Sequence, residues 1–197
     1  MHFYSLHSRK MRRLAAAGVA LTAGGIGAAA WASAPASAVS AAFSSTVSST
    51  VSSAVIPRCT PGQLAVWVNA DSANGAAGSV YFHLDFTNVS RATCHLYGYP
   101  GVSAVSGTGA QLGDAASRDP VAPKRYVNIV PGGTAHTILR VVDTGDFSPS
   151  ACRPVDARRL IVYPPDDTGP RQALYDLSSC GAKGAGYLSV ETVQPGP

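Results

Sequence analysis

The chain has 197 residues, 46% of them apolar and only 13% charged, with 20 glycines and 14 prolines, which is enough for one turn-rich domain plus a tail. The net charge of +4 misleads, because four of the 15 Lys/Arg (Arg9, Lys10, Arg12, Arg13) precede residue 38, no Asp or Glu does, and the remaining 11 cations face 11 acids. A chain cut there is formally neutral, which argues against nucleic acid as a partner: that would call for a basic patch surviving maturation, and no such run is evident.

Met1 to Arg13 form a positive segment, Leu14 to Trp31 an apolar one of Ala, Gly, Val, Leu and Ile, and Ala32 to Ala38 offer two small-x-small cleavage points. That order is a secretory signal, assigned to residues 1–38. We expect the cut after Ala38, because a cut after Ala34 would leave Pro35 directly behind the scissile bond. The competing reading is an uncleaved anchor. The stretch approaches spanning length but is Ala/Gly-rich and weakly hydrophobic, so no stable membrane span is expected after cleavage. The first cysteine after it is Cys59, so a lipid-modified N-terminal Cys is not expected. The destination expected is extracellular, in reach of the cell wall.

Residues 39–57 open with VSAAFSSTVSSTVSSAVI, uncharged and near-repeating. They read as a flexible spacer, with an O-glycosylated stalk as the functional alternative. The folded domain is expected over 58–197. Its four cysteines, Cys59, Cys94, Cys152 and Cys180, imply two disulfides in an oxidising compartment. Of the three pairings, Cys59–Cys94 and Cys152–Cys180 are favoured, because each closes a loop of about 30 residues within one half of the domain. A metal site has little support, since no CxxC or ligand-spaced Cys/His pair occurs. Cys94 and His95 are adjacent, and adjacent strand residues point to opposite faces, which also argues against a nucleophile and its base.

Alternation of period two is clearest in Ser79 to Asn88, where Val80, Phe82, Leu84 and Phe86 oppose Tyr81, His83, Asp85 and Thr87. Leu64, Val66 and Val68 likewise oppose Ala65, Trp67 and Asn69. Further strands are expected at 93–97, 101–105, 125–130, 134–142, 159–163, 171–177 and 187–193. Turns are expected at Asn74-Gly75, Gly107-Thr108-Gly109, Pro131-Gly132-Gly133, Asp166 to Pro170 and Gly184-Ala185-Gly186. A short helical turn fits between Pro149 and Arg159. About nine short strands and no amphipathic helix predict an all-β fold: an antiparallel two-sheet β-sandwich of immunoglobulin-like architecture, stapled by disulfides, with a closed barrel as the alternative.

Cys94-His95-Leu96-Tyr97-Gly98-Tyr99-Pro100-Gly101-Val102, preceded by Cys59 and a Gly-rich turn at 74–78, and followed by Pro131-Gly132-Gly133, Cys152 and Tyr163-Pro164-Pro165, forms a recognisable layout. It resembles a family of secreted and lipid-anchored actinobacterial domains catalogued as a domain of unknown function. The Cys-x-Leu-x-Gly-Tyr-Pro-Gly-Val segment carries most of the resemblance, which covers Cys59 to Val193. It implies an extracellular disulfide-bonded β-sandwich and supplies no catalytic residues. Trp67 lies only eight residues after Cys59, unlike the tryptophan of immunoglobulin domains proper.

Asp-Thr-Gly occurs at Asp143-Thr144-Gly145 and again at Asp167-Thr168-Gly169. Aspartic-protease chemistry needs two carboxylates sharing a proton, and two motifs this close in one small domain cannot be symmetric halves; turns explain them better. Gly101 to Val105 lacks the second glycine of a nucleophile elbow. Glu191 and Asp85 have no evident mates for glycosidase chemistry, and Asp143 with Asp146 is weak evidence for calcium. No catalytic residue, metal ligand or cofactor is assigned. The candidate binding residues are Trp67, Tyr81, Tyr97 and Tyr99, which could stack on sugar rings or anchor a protein. The expected function is a non-enzymatic module binding a protein or polysaccharide at the cell envelope; the alternative is a small secreted hydrolase or protease inhibitor-like module.

Overall fold

The structure, a computed structural model, describes residues 55–197. The expected signal and most of the spacer therefore lie outside the described residues. Ile56 and Pro57, at the spacer's end, are already tied to the domain: the Ile56 carbonyl meets His95 Nδ1 at 2.9 Å, and the His95 amide donates to the Pro57 carbonyl at 2.9 Å.

Twelve strands follow: β1 (Leu64–Ala76), β2 (Ser79–Asn88), β3 (Cys94–Tyr97), β4 (Gly101–Val105), β5 (Gln111–Leu112), β6 (Ser117–Arg118), β7 (Tyr126–Ile129), β8 (Thr134–Val142), β9 (Pro154–Tyr163), β10 (Arg171–Cys180), β11 (Leu188–Val190) and β12 (Gln194–Pro195). The helical turn expected after Pro149 is α1 (Pro149–Cys152), capped by the Ser148 hydroxyl, which accepts from the Ala151 amide. One sheet runs β1-β2-β8-β11-β6, with β12 also on β8; a second runs β10-β9-β4-β5; β3 and β7 form a separate ribbon. All pairings are antiparallel except β11 with β6. The all-β, disulfide-stapled fold is as expected. The β3–β7 ribbon and the parallel pair are additions, and so are the two-residue strands β5, β6 and β12, too short to show a period.

The inward stripes of both large sheets meet in one core. Leu64, Leu84, Phe86 and Leu139 come from the first sheet, Val102, Leu160 and Val162 from the second, and Leu96 and Ile129 from the ribbon. Burying each such side chain is worth about 1.5–3 kcal/mol. Asn88 ties β2 to the ribbon: fully buried, it donates from Nδ2 to the carbonyls of Ala92 (2.8 Å) and Ile129 (2.9 Å), and its Oδ1 accepts from the Ser90 amide.

The first hairpin corrects one expectation. Asn74-Gly75 is strand, and the chain turns at Ala77-Gly78, with φ of 42° and 72°. Two successive positive φ values make the two-residue turn that matches strand twist. The displacement follows from a register shift between Asn69 and Asn74, which absorbs extra residues into a bulge. There Ser72 Oγ accepts the His83 amide at 2.7 Å and donates to the Asn69 carbonyl at 2.6 Å. The turn is fixed from outside by the Asp143 amide, which donates to the Gly78 carbonyl at 2.7 Å.

Both disulfides form as expected: Cys59–Cys94, 35 residues apart, and Cys152–Cys180, 28 apart. Loop closure makes each worth about 3–4 kcal/mol. Urea denaturation of a Cys152→Ala/Cys180→Ala variant should show a loss of that size; a loss below ~1 kcal/mol would contradict the loop-closure account.

Candidate functional site

The outward residues of β1, β2 and β8 build one surface. Register places Trp67 opposite Asp85, Asn69 opposite His83, and Asp85 opposite His136, all on the side away from the core. Tyr81, Thr87, Thr134, Ile138 and Arg140 share it by alternation. His83 and His136 are diagonal neighbours across the β2–β8 ladder, and their rings stack at 4.2 Å with planes 13° apart. His136 Nδ1 meets the Gly196 carbonyl at 2.7 Å. Trp67 is 43% exposed, and its Nε1 reaches Thr87 Oγ1 at 3.5 Å. On the same face lies a hollow of about 310 Å³ lined by Ser72, Asn74, Tyr81, His83, Ile138 and Glu191.

Two of the four expected binding residues, Trp67 and Tyr81, thus share this face, four residues or about 13 Å apart along the strands. The other two lie elsewhere. Tyr97 is on the ribbon against Tyr126, with ring centroids 4.7 Å apart, and Tyr99 lies under Arg118 and Lys124. Closeness in sequence near the first disulfide therefore does not make one aromatic patch. The stacked histidines were not foreseen. His83 is visible on the polar stripe of its strand, but its partner lies 53 positions on, and nothing local registers the two strands.

Asp85 is fully buried beneath this face. Its Oδ2 accepts from Asn69 Nδ2 at 3.4 Å, and its Oδ1 has no hydrogen-bond partner. Burial raises its pKa above the ordinary 3.8, against the lowering effects of Asn69 and the two histidines. Glu191 is also raised, first by burial and then by Asp119. Neither carboxylate is a cause of the other's shift. Burial, then His136, lowers the His83 pKa below 6.5, while Asp85 pulls it up.

Both Asp-Thr-Gly sequences are occupied by their own turns. Asp143 Oδ1 accepts from the Gly145 amide and Asp167 Oδ1 from the Gly169 amide, each at 2.8 Å. Cys94 is in a disulfide, and His95 is held by Ile56 and packs edge-on against Tyr126. Ser103 sits mid-strand opposite Ile161, not on a turn. Among the described residues, no three His, Cys, Asp or Glu side chains converge as metal ligands. A second hollow, about 270 Å³, opens at the mouth between the sheets, lined by Val80, Phe82, Val141, Tyr175 and Leu177 among others.

Two titrations test this electrostatic account. The unfolded chain takes up the His83 proton more readily than the folded one, so stability is full above pH 6.5 and falls as pH drops through 6.5 toward the lowered value. His83→Asn should flatten the fall in thermal midpoint over that window; identical curves would refute the assignment. Asp85 has the opposite sign: folding favours its protonated form, so stability is lost as pH rises from 3.8 through the raised value. Asp85→Asn should melt higher than wild type at neutral pH, with the gap closing below pH 3.8.

No curated protein and no solved structure matches this chain. A family model does match, over a span that takes in both disulfides and the Trp67 face: over residues 59–194 the chain belongs to the family described as a domain of unknown function, DUF4232.

Proposed function

We propose that the domain is an exported, non-enzymatic module that binds cell-envelope polysaccharide through the outer face of the β1-β2-β8 sheet. The observation that carries this reading is an exposed tryptophan set among polar side chains on a rigid sheet: Trp67 beside Asn69, the His83–His136 stack and the hollow at Tyr81. An aromatic face takes the apolar side of a sugar ring, while amide, imidazole and carboxylate groups suit its hydroxyls. Asp85 supports the same reading. A buried carboxylate with one unpartnered oxygen destabilises the fold, and such groups gather at functional sites. Export is supported by the charge and apolar order of residues 1–38 and by two disulfides, which suit an oxidising compartment.

The test is co-sedimentation of the oxidised domain with insoluble cell-wall polysaccharide stripped of its anionic polymers. Trp67→Ala/Tyr81→Ala should weaken pelleting at least tenfold, about 1.4 kcal/mol, while its urea midpoint stays near wild type. Undiminished pelleting of that variant would refute the proposal. A wild-type domain that stays in the supernatant but captures an envelope protein would replace polysaccharide with a protein partner.

A further inference from the structure

Folding gathers cations that are scattered in the sequence. The Arg118 guanidinium carbon lies 5.8 Å from the Tyr99 ring centroid, and Lys124 Nζ lies 5.6 Å from the same centroid. The Lys124 stem passes over Gly98, where an added Cβ would touch its Cδ at 3.7 Å. Arg125 follows and donates to Gln194 Oε1. Arg118, Lys124 and Arg125 are all exposed, and none has a carboxylate within ion-pair distance; among the described residues the one ion pair is Arg158–Asp176. Tyr126, next in the chain, is 68% exposed and packs on Tyr97.

We propose that Tyr99, Arg118 and Lys124, extended by Arg125 and Tyr126, form a binding site for the phosphate groups of an anionic envelope glycan. Two cations lie within 5.8 Å of one ring centroid, and neither has a carboxylate in ion-pair contact, so both are free to meet a bound anion. The guanidinium fork suits two phosphate oxygens, and Lys124 supplies a point charge. Tyr126 offers an open ring to the adjoining sugar. Three cations on a formally neutral domain are too few for the long basic track of a nucleic-acid binder or the polybasic cluster of a membrane binder. The anion site shares no side chain with the Trp67 face, although Arg125 reaches Gln194, which pairs with His136 at that face's edge; only the glycan identity rests on the proposed export.

The experiment measures binding of the oxidised domain to a synthetic poly(glycerol phosphate), with neutral dextran, phosphatidylglycerol vesicles and a single-stranded oligonucleotide alongside. Wild type should bind the phosphate polymer at low salt, progressively less as salt rises, and ignore dextran. Arg118→Gln/Lys124→Gln should lose at least tenfold in affinity, while Trp67→Ala/Tyr81→Ala stays within about twofold of wild type. Lys124→Glu alone gives the same readout if the double variant does not fold. Wild-type affinity in these charge variants, or no binding by wild type at low salt, overturns the site. Equal or tighter binding to vesicles or to the oligonucleotide overturns the glycan assignment.

Discussion

The register between β2 and β8 is the constraint on which the rest of the molecule depends. Nine consecutive pairs, from Ser79 opposite Val142 to Thr87 opposite Thr134, lock the two strands at the centre of the larger sheet. A slip of one residue would turn Phe82, Leu84 and Phe86 outward and carry His83 and Asp85 into the core. One alignment therefore decides which side chains form the hydrophobic core and which form the candidate binding surface. β1 inherits its orientation from β2, and β11 and β12 inherit theirs from β8.

The outer surface is not optimised for stability alone. Asp85 is buried with an unpartnered oxygen, and two imidazoles lie face to face, with burial and then His136 lowering the His83 pKa. An apolar or amide substitution at 85 would ease this strain at neutral pH, and yet a carboxylate stands there. Selection for a task, rather than for stability, leaves such marks. The formal neutrality of residues 39–197 conceals a similar asymmetry, since Arg118 and Lys124 gather at Tyr99, beside one end of the β3–β7 ribbon, with no carboxylate in ion-pair contact.

What was legible in the sequence is what depends on nearest neighbours. Alternation in Leu64–Asn69 and over most of Ser79–Asn88 assigned inward and outward faces, with Val80 of the apolar stripe exposed at the strand's start and Asp85 of the polar stripe buried, and short loop closures named both disulfides. The Asn74-Gly75 turn was misplaced because a local preference yielded to the register of the ladder: the bulge at Asn69–Asn74 shifts the reversal to Ala77-Gly78. The histidine stack and the cations around Tyr99 were invisible for a different reason. Each joins strands brought together only by the whole topology, and no spacing along the chain encodes that meeting. Trp67 and Tyr81 could be placed on one face because their strands are consecutive; Tyr97 and Tyr99 could not be separated from them by the same logic.

The bulge in β1 has one more effect. β1 is a 13-residue strand at the edge of its sheet, and a flat edge of that length offers a row of unpaired amides and carbonyls to any other chain with a free strand. The register shift breaks the row at midlength, and Ser72 turns its hydroxyl inward to the His83 amide, across the gap the shift leaves in the ladder. A second molecule approaching this edge meets a kink where it would need continuous spacing. The irregularity that shapes the hollow beside Tyr81 thus also breaks the continuous strand edge that edge-to-edge aggregation needs.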